Sequence, residues 1–382
     1  MKHTAPSTTW LSELESLKRV DDIRARLAER YPTFCSHVLK EVIILGAAEE
    51  GERLLELCVA HGIVVRAIVD DNPERQGRQL MGHVVASVDS LENVRREIPV
   101  IIASHRVLKA HERMKCMGFS SVAPFALLEV LDSIRFPPHM FYARLLEDLV
   151  DHRERYLALR NCFFDERSFD VLDAIIGYRL TLDPEILAPI IEWDLYAPSH
   201  LIEYGDEEVY VDGGSYDGDT IRLFLDRVQG KCARVIAFEP DRGTYDRLKA
   251  NFSDNAKVET VNAGLHRCAG TLRFDNAGTR GSIFSDVGQF EIPVVGLDET
   301  LNGDRVTFLK MNIEGSECEA LRGAQESIRR WRPKLAISVY HNPFDLWQIP
   351  EEIRNIHAGY KFYLRQHDGG IIETVLYALP TA

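Results

Sequence analysis

The chain has 382 residues, of which 45% are hydrophobic, and a formal net charge of −14 at pH 7. This length predicts two domains, each large enough to bury a core of its own. The negative charge, together with the absence of any cluster of Lys and Arg residues, argues against a nucleic-acid-binding surface and against attraction to an anionic membrane.

The N-terminal residues, the apolar stretches and the cysteines indicate the compartment in which the protein is expected. The opening residues, MKHTAPSTTW, lack the apolar core of a signal peptide, and no apolar stretch is long enough to span a bilayer. The seven cysteines are scattered and never occur in CxxC spacing, so we expect neither a disulfide framework nor a zinc cluster, and we expect no other metal site. These features predict a cytoplasmic protein with reduced thiols.

The first predicted element is an amphipathic helix over Thr9–Arg30, inside an N-terminal segment 1–40. Four apolar residues recur at every third position among charged neighbours: Leu11, Leu14, Leu17 and Val20. We expect this face to pack against the following domain. Association of two copies into a homo-oligomer is the alternative, although the segment has too few heptads for a coiled coil.

Residues 41–131 predict a Rossmann-like α/β domain. Val42–Leu45 and Ile63–Val69 are apolar runs typical of parallel strands, and a helix is predicted between them. The continuation DDNPERQGRQLMGHVVAS resembles the accessory domain of bacterial sugar C-methyltransferases and of some sugar acyltransferases that modify nucleotide-linked sugars. The resemblance implies a nucleotide or a nucleotide-linked sugar as the ligand of this domain.

The glycine turn of this domain, Gly46–Gly51, departs from a dinucleotide fingerprint. Its middle glycine is replaced by Ala48, where a pyrophosphate would approach most closely, and two glutamates place negative charge at the start of the helix. We therefore favour a structural or regulatory role over cofactor binding. If a ligand binds there, Asp70 or Asp71 would hold its ribose.

Residues 132–206 show helical periodicity without strand signals and predict a helical connector. The connector contains four aromatic residues close to the next domain: Phe163, Phe164, Trp193 and Tyr196. Ordinary packing between helices is the favoured interpretation, and a lid over an acceptor pocket is the alternative.

The segment Val209–Pro240 opens the predicted second domain, residues 207–382. Val209–Val211 is a short apolar strand, and Gly213 and Gly214 then allow the backbone to turn sharply and to approach a ligand closely. A helix and a second strand follow in the order of a nucleoside-binding unit.

That helix is predicted over Asp217–Val228, and the second strand over Val235–Phe238. The strand delivers Glu239 to the carboxyl edge of a parallel sheet, which is where open α/β sheets bind ligands. A carboxylate in this place suits the two hydroxyls of a ribose.

Charge around the turn separates two classes of cofactor. Asp212, Asp217 and Asp219 would repel a pyrophosphate but attract the ammonium and sulfonium of S-adenosylmethionine (SAM). We therefore predict SAM as the cofactor; a plain βαβ unit with glycines kept for packing is the alternative. The predicted donor site consists of Asp212, Gly213, Gly214, Asp217, Gly218, Glu239, Pro240 and Asn262.

The rest of the second domain is predicted to alternate helices and strands. Helices are predicted over Tyr245–Phe252 and from Glu317 to Arg330, strands over Val258–Val261, Val306–Met311, Lys334–Tyr340, Tyr360–Gln366 and Glu373–Leu379, and an extended region through Val295. His367–Gly370 between the last two strands is a strong hairpin signal. A closing antiparallel hairpin is typical of a methyltransferase sheet, whereas a dehydrogenase domain usually closes with parallel strands.

Three segments carry a family resemblance: DGG at residues 212–214, AFEP at 237–240 and LKMNIEGSECEALRGA at 309–324. They resemble the FkbM family of SAM-dependent methyltransferases. The resemblance implies a class I methyltransferase fold and O-methylation of hydroxyls on sugars, glycans or natural products. This chain has Asn312 where the family commonly has an aspartate, so Asn312 is predicted to position the substrate by hydrogen bonding rather than to act as a base.

Methyl transfer to a hydroxyl requires few catalytic groups from the protein. The methyl donor is already activated, so the protein mainly has to hold an acceptor oxygen on the axis of displacement. His341, placed at a strand's carboxyl edge, is predicted to accept the hydroxyl proton with an ordinary imidazole titration; a structural histidine is the alternative. Lys310 and Glu314 are predicted to orient the acceptor or to pair with each other.

Three functions therefore stand at this point: an O-methyltransferase, a catalytically inactive nucleotide-binding sensor and a nicotinamide-dependent oxidoreductase. We favour the first, because charge at the turn disfavours phosphate and the closing hairpin disfavours a dehydrogenase.

Overall fold

The computed structural model describes residues 9–274 and 290–381. The chain divides into two compact units. The first consists of the described residues up to Ala158 with Asp170–Ile191 and Asp368–Ile372, and the second of Leu159–Phe169, Glu192–His367 and Glu373–Ala382. Residues 132–206, predicted as a connector, are shared between the two units.

The first unit contains the predicted Rossmann-like sheet. Its strands are β1 (Glu41–Leu45), β2 (Val64–Val69), β3 (Gln79–Leu80), β4 (His83–Ala86), β5 (Val100–Ile102) and β6 (Val122–Pro124). They are ordered β3-β4-β2-β1-β5-β6, and every pairing is parallel except β3 with β4. The neighbouring strands β1 and β5 are buried on both faces, which is why their sequences contain continuous runs of Val, Ile and Leu.

The predicted helix over Thr9–Arg30 is two helices in the structure. The helices of the first unit, or those that begin in it, are α1 (Trp10–Ser16), α2 (Val20–Arg30), α3 (Glu49–Ala60), α4 (Val107–Cys116), α5 (Ala126–Leu131), α6 (Leu145–Asp151) and α7 (Arg153–Leu159), and α8 (Glu166–Thr181) is shared. Leu17 ends α1 in an extended conformation and is still buried. Leu11, Leu14 and Leu17 are therefore buried as the period predicts, whereas Val20 begins α2 and is only partly buried, and the buried residues of α2 are Ile23 and Leu27.

The second unit is built on a sheet of seven strands. They are β7 (Val209–Gly213), β8 (Arg234–Phe238), β9 (Val258–Val261), β13 (Phe308–Met311), β14 (Lys334–Ser338), β15 (Tyr360–Gln366) and β16 (Thr374–Pro380), between which β10 (Gly264–Leu265), β11 (Gly270–Phe274) and β12 (Phe290–Val295) form a small separate sheet. The large sheet has the order β15-β16-β14-β13-β7-β8-β9. Its first five strands in the chain are parallel, and β16 pairs antiparallel with both β14 and β15.

The predicted closing hairpin is therefore present, but its connection is longer than a two-residue turn. Gln366 pairs with Thr374, so the connection spans residues 367–373. Gly370 is needed for close approach: a Cβ atom there would overlap the carbonyl oxygen of His105 in the first unit, to which Gly370 also belongs.

Helices cover the large sheet, and one of them differs from the prediction. They are α9 (Asp219–Arg227), α10 (Arg242–Asn251), α11 (Leu297–Leu301), α12 (Glu317–Arg322), α13 (Gln325–Trp331) and α14 (Asp345–Ile356). A single helix was predicted up to Arg330, whereas the structure breaks it at Gly323, where a Cβ atom would overlap the carbonyl oxygen of His266. The small β10–β12 sheet was predicted only as an extended region, and part of that region, residues 275–289, lies outside the described residues.

The core of the second unit is aromatic beneath the central strands. Tyr210 on β7 stacks on Phe308 of β13 with 5.0 Å between ring centroids, and Phe224 of α9 lies 4.5 Å from Tyr210. This packing fixes the two strands whose carboxyl ends carry the glycine turn and the Asn312 loop. Of the four connector aromatics, Phe163 and Tyr196 are buried, which supports core packing for those two, while the other two are exposed.

No helix within residues 9–274 and 290–381 combines the length and apolar character that crossing a membrane requires.

Candidate functional site

The glycine turn after β7 is held against the loop that follows β13. Gly214 has φ +75°, a conformation that favours glycine, and a Cβ atom there would overlap the carbonyl oxygen of Asn312. The N–H groups of Gly214 and Ser215 both donate to the carbonyl oxygen of Phe238, at 3.1 and 3.0 Å. The turn therefore lies between the ends of two neighbouring strands, and only glycine fits its tightest point.

Asp212 and Lys310 form a buried ion pair beneath this turn. Lys310 Nζ lies 2.8 Å from Asp212 Oδ1 and also donates to the carbonyl oxygens of Gly213 and Gly214, at 3.2 and 2.9 Å. An ammonium has three protons, and these three partners use all of them. Lys310 therefore stabilises the turn and does not pair with Glu314, which corrects that alternative.

The carboxylate of Asp212 is bound by groups of the protein itself, Lys310 on one oxygen and Thr220 on the other. Its second oxygen accepts a hydrogen bond from the Thr220 hydroxyl at 2.5 Å. Burial raises the pKa of Asp212, and the Lys310 ammonium opposes that shift. Asp212 was predicted to attract the cationic groups of a ligand, but in the structure it acts through Lys310 on the shape of the turn.

Glu239 is placed as predicted, at the end of β8 beside the turn. Its oxygens accept hydrogen bonds from the N–H groups of Tyr216 and Asp241, at 2.9 and 3.0 Å. Burial raises the pKa of this carboxyl to about 7, although both backbone donors favour its charged form. Because a carboxylate has about four acceptor positions, at least two remain for ribose hydroxyls.

The other predicted donor-site residues lie around the same strand ends. Asn262 Nδ2 donates to the carbonyl oxygens of Glu239 and Pro240, both at 3.0 Å, and so joins the ends of β8 and β9. Gly218 precedes α9 with φ +89°, where a Cβ atom would overlap the ring of Phe252.

The two aspartates on the far side of the turn are less directly placed. Asp217 pairs with Arg222 at 3.0 Å, so much of its predicted attraction for a cation is directed to that guanidinium. Asp219 is the first residue of α9, where the helix dipole favours a carboxylate whatever its role.

The loop after β13 brings the acceptor-side residues next to the turn. Asn312 Oδ1 accepts a hydrogen bond from the Tyr340 hydroxyl at 3.3 Å. Glu314 and Gly315 both have positive φ, +55° and +95°, and strained backbone of this kind often occurs at functional sites. The Glu314 side chain is 27% exposed, and burial of its carboxyl raises the pKa to about 7.

His341 follows β14 and lies between carboxylates. Its Nδ1 is 2.9 Å from Glu317 Oε1, its Nε2 is 3.8 Å from Glu314 Oε2, and its side chain is 3% exposed. Burial alone would lower the pKa of His341, but Glu317 and Glu314 raise it to about 9. The ordinary imidazole titration expected from the sequence does not fit these surroundings, because the ring keeps its proton at neutral pH.

Two members of this cluster were missed by the sequence analysis. Glu317 is the first residue of α12, and its Oε1 also accepts the N–H of Ile313 at 2.8 Å. Asp345 is the first residue of α14, and burial and the nearby Glu317 raise its pKa to about 7. The available signal was spacing: Asp345 follows His341 by four positions, so both fall in the same loop and helix start.

In the first unit the predicted ribose ligands already have partners. Asp70 accepts hydrogen bonds from the N–H groups of Ala47 and Asn72, at 2.7 and 2.8 Å. Asp71 pairs with Arg113. These contacts hold the glycine turn and the loop after β2.

The donor-site residues fit SAM on two structural observations. The Gly213–Gly214 turn leaves no side chain between its backbone and a ligand, and Glu239 beside it keeps acceptor positions for a ribose. The ligand carries no phosphate, so the acidic surroundings of the turn do not oppose it.

Comparison with known proteins identifies this part of the chain. Residues 212–362 match the family described as the methyltransferase FkbM domain. A search of curated proteins found no match. The crystal structure of methyltransferase FkbM from Methylobacillus flagellatus KT is similar at a TM-score of 0.73 and 23% identity, covering 94% of this chain and 99% of that one.

More distant likenesses include Aeropyrum pernix fibrillarin in complex with S-adenosyl-L-methionine, with a TM-score of 0.31 and 13% identity over 47% of this chain and 70% of that one. An rRNA methylase from Streptococcus thermophilus has a TM-score of 0.31 and 16% identity over 53% of this chain and 95% of that one. These two are too distant to support an argument.

Every donor-side and acceptor-side residue described in the second unit lies within the matched range. Residues 212–362 therefore match the methyltransferase FkbM domain, and the chain shares the fold of an FkbM methyltransferase.

Proposed function

We propose that this protein transfers a methyl group from SAM to a hydroxyl of a sugar, glycan or natural product. The observation that carries the proposal is the Gly213–Gly214 turn with Glu239 beside it, at the carboxyl ends of adjacent parallel strands inside the matched domain. This is the edge at which open α/β sheets bind ligands.

On the donor side, the protein's own residues bind and orient. Lys310, neutralised by Asp212, holds the carbonyl groups of the turn, and Glu239 offers its remaining acceptor positions to the ribose. Bound SAM would supply a methyl group on a positively charged sulfur, and an acceptor oxygen in line with that bond would take the methyl while the neutral thioether leaves.

On the acceptor side, we assign the proton-accepting role to Glu314. Its side chain is 27% exposed and that of His341 is 3% exposed, so Glu314 is the more accessible of the two groups to an acceptor. A Glu314 oxygen would take up the hydroxyl proton, so that the acceptor oxygen could receive the methyl group that bound SAM would supply. Asn312, fixed by Tyr340, lies on the same loop to position the acceptor.

Titration calorimetry on the full chain tests the donor assignment. SAM and its demethylated product should bind and NAD should not. Glu239→Ala should weaken SAM binding by about 1.5–3 kcal/mol, because charge-assisted hydrogen bonds to the ribose are lost. Glu259→Ala, which removes an exposed glutamate from the neighbouring β9, is the matched control and should leave the affinity unchanged. Tight binding of NAD alone would support the oxidoreductase instead.

Turnover tests the reaction itself. Release of radioactive methyl from SAM to a panel of monosaccharides, nucleotide-linked sugars and oligosaccharides should identify an acceptor. Glu314→Gln should then reduce turnover by about 10²- to 10⁴-fold while SAM affinity is retained. Binding of SAM without transfer to any offered hydroxyl would favour the catalytically inactive sensor.

A further inference from the structure

Three side chains beneath the acceptor loop form a compact set of ligand atoms. One atom each from Glu317, His341 and Asp345 lies within 4.8 Å of the other two, and all three residues are buried. They come from the start of α12, the loop after β14 and the start of α14, so three separate elements converge on one point.

Three carboxyl groups and one imidazole meet at this point, so full ionisation of all four groups would leave negative charge in excess. Besides Glu317 and Asp345, the carboxyl of Glu314 lies close by, with its Oε2 3.8 Å from Nε2 of His341. The imidazolium of His341 is the cation that these carboxylates share. Lys310 does not contribute, because its three protons are used by Asp212 and the glycine turn. Uncompensated buried carboxylates are costly and require pairing, protonation or an ion.

One buried acceptor atom gives an independent indication of a ligand. Glu317 is 1% exposed, and its Oε1 accepts the N–H of Ile313 and faces the imidazole of His341. Its Oε2 is enclosed and accepts no hydrogen bond from any residue that the structure describes. Buried carboxylate oxygens normally have a partner, so this atom calls for an explanation.

We propose that Glu317, His341 and Asp345 bind a divalent first-row transition ion, such as Mn²⁺ or Zn²⁺. One imidazole with two carboxylates suits these ions, whereas Mg²⁺ and Ca²⁺ prefer ligands that are all oxygen. The ion would displace the proton that His341 holds, which would pass to solvent, and its two positive charges would balance the carboxylates. The proposal goes beyond methyl transfer from a sulfonium, which does not itself require an ion.

Around an ion, the shortest separation between ligand atoms would have to lengthen and the widest to shorten. Ligand atoms around a tetrahedral ion with bonds near 2.1 Å lie about 3.4 Å apart, and wider angles extend this to about 4.2 Å. The Glu317–His341 separation of 2.9 Å lies below the tetrahedral spacing, and the widest separation in the set is at most 4.8 Å. Rotamer adjustments of several tenths of an ångström would bring all three atoms within bonding distance.

Manganese binding to the full chain tests the site. After treatment with a chelator and its removal, loss of the free Mn²⁺ signal in electron paramagnetic resonance should show about one ion bound per chain. Glu317→Gln and Asp345→Asn should each weaken binding at least about tenfold, since each removes a charged ligand. Glu319→Gln changes a carboxylate on the same helix that pairs with Arg267 and Arg322, and it should bind as the parent does. Equal binding by the parent and a Glu317→Gln/Asp345→Asn protein would overturn the proposal.

A measurement on the parent protein keeps the test independent of variant folding. Bound Mn²⁺ should show spin-echo modulation from a directly coordinated ¹⁴N nucleus, because His341 is one of the ligands. Absence of binding, or binding without nitrogen coupling, would leave a proton shared among the carboxylates as the explanation and overturn the proposal. SAM affinity measured on the same samples distinguishes this result from failure of the donor site, because the ion and the cofactor are assigned to different residues.

Discussion

At the scale of single residues, the site is organised by the ion pair between Asp212 and Lys310, which could not be predicted from the sequence. Asp212 and Lys310 are register partners on the adjacent parallel strands β7 and β13, so their side chains meet across the sheet. From the sequence, Asp212 was predicted to bind the cofactor and Lys310 to orient the acceptor. Strand patterns predict which residues reach the carboxyl edge, whereas side-chain pairing depends on register between strands far apart in the chain.

This ion pair makes a testable prediction about stability. Lys310→Met should destabilise the protein by about 3–5 kcal/mol, because Asp212 is left buried without its counter-ion. The double variant Asp212→Asn/Lys310→Met should recover most of that loss. Urea unfolding followed by circular dichroism measures both. A double variant no more stable than Lys310→Met would show that the loss is not caused by the uncompensated charge.

Lys334→Met provides a matched control, because Lys334 pairs with Glu208 in a more exposed setting, with 18% of the lysine side chain accessible. Its loss should be smaller, since solvent can partly replace the lost partner.

The raised pKa of Glu239 makes a prediction about pH. The ribose hydroxyls donate to a carboxylate, so protonation of Glu239 competes with SAM binding. With the pKa raised to about 7, affinity should fall roughly tenfold between pH 8 and pH 6. Glu239→Gln should bind weakly with little pH dependence over that range. Parallel pH profiles for the two proteins would show that Glu239 does not contact the ligand.

The same shift has the opposite sign for folding. The unfolded glutamate releases its proton near its ordinary pKa, and the folded protein releases it only near 7. The contribution of this group to stability is therefore present at low pH and is lost as the pH rises through that interval.

At the scale of elements, local patterns predicted most strands of the large sheet. The strands β9 and β15 have the predicted bounds, because each is an apolar or alternating run with clear turn residues at its ends. The breaks in helices were not predictable. At the break, Gly323 lies so close to the carbonyl oxygen of His266 that no side chain would fit, and no local signal in the sequence reports such a contact.

The candidate-site residues also fall into two groups, those that could be predicted from the sequence and those that could not. Gly214 and Glu239 follow predicted strands, so their places could be inferred from the strand ends. Glu317 and Asp345 were missed because each begins a helix, where a carboxylate has an ordinary local explanation, and only the folded chain brings them to His341.

The glycine turn makes a prediction at this scale. Gly214→Ala should both destabilise the protein and reduce SAM affinity by more than about tenfold, because the new Cβ would displace the Asn312 loop. Gly230→Ala is a matched control: this glycine has a similar φ of +71°, but nothing lies within 4 Å of the added atom. It should lose only about 1 kcal/mol of stability and bind SAM normally. Normal SAM binding by folded Gly214→Ala would remove the turn from the donor site.

At the scale of the whole molecule, the sequence predicted two α/β sheets, and the structure contains both. The sequence could not predict which segments belong to which compact unit, because the chain passes from one unit to the other several times. A fragment beginning near the end of the first sheet would therefore match neither unit, and tests of the donor site belong on the full chain.

Donor binding is assigned to the second unit alone, which yields a prediction for the first. Asp70→Asn keeps the shape of a side chain that accepts two backbone hydrogen bonds, and it should leave SAM affinity within about twofold of the parent. Calorimetry alongside Glu239→Gln provides the comparison. A loss in Asp70→Asn as large as that in Glu239→Gln would extend the donor site beyond the residues proposed.

The position of β16 between β14 and β15 has a consequence for synthesis on the ribosome. A nascent chain makes β14 and β15 before their common neighbour exists, so both expose unpaired backbone groups until Thr374–Pro380 is made. At about 5–20 residues per second, β14 waits roughly two to eight seconds for that neighbour. During this interval the open strand edges are sites for wrong pairing, and slowed translation in this stretch would lengthen the exposure to chaperones and to aggregation alike.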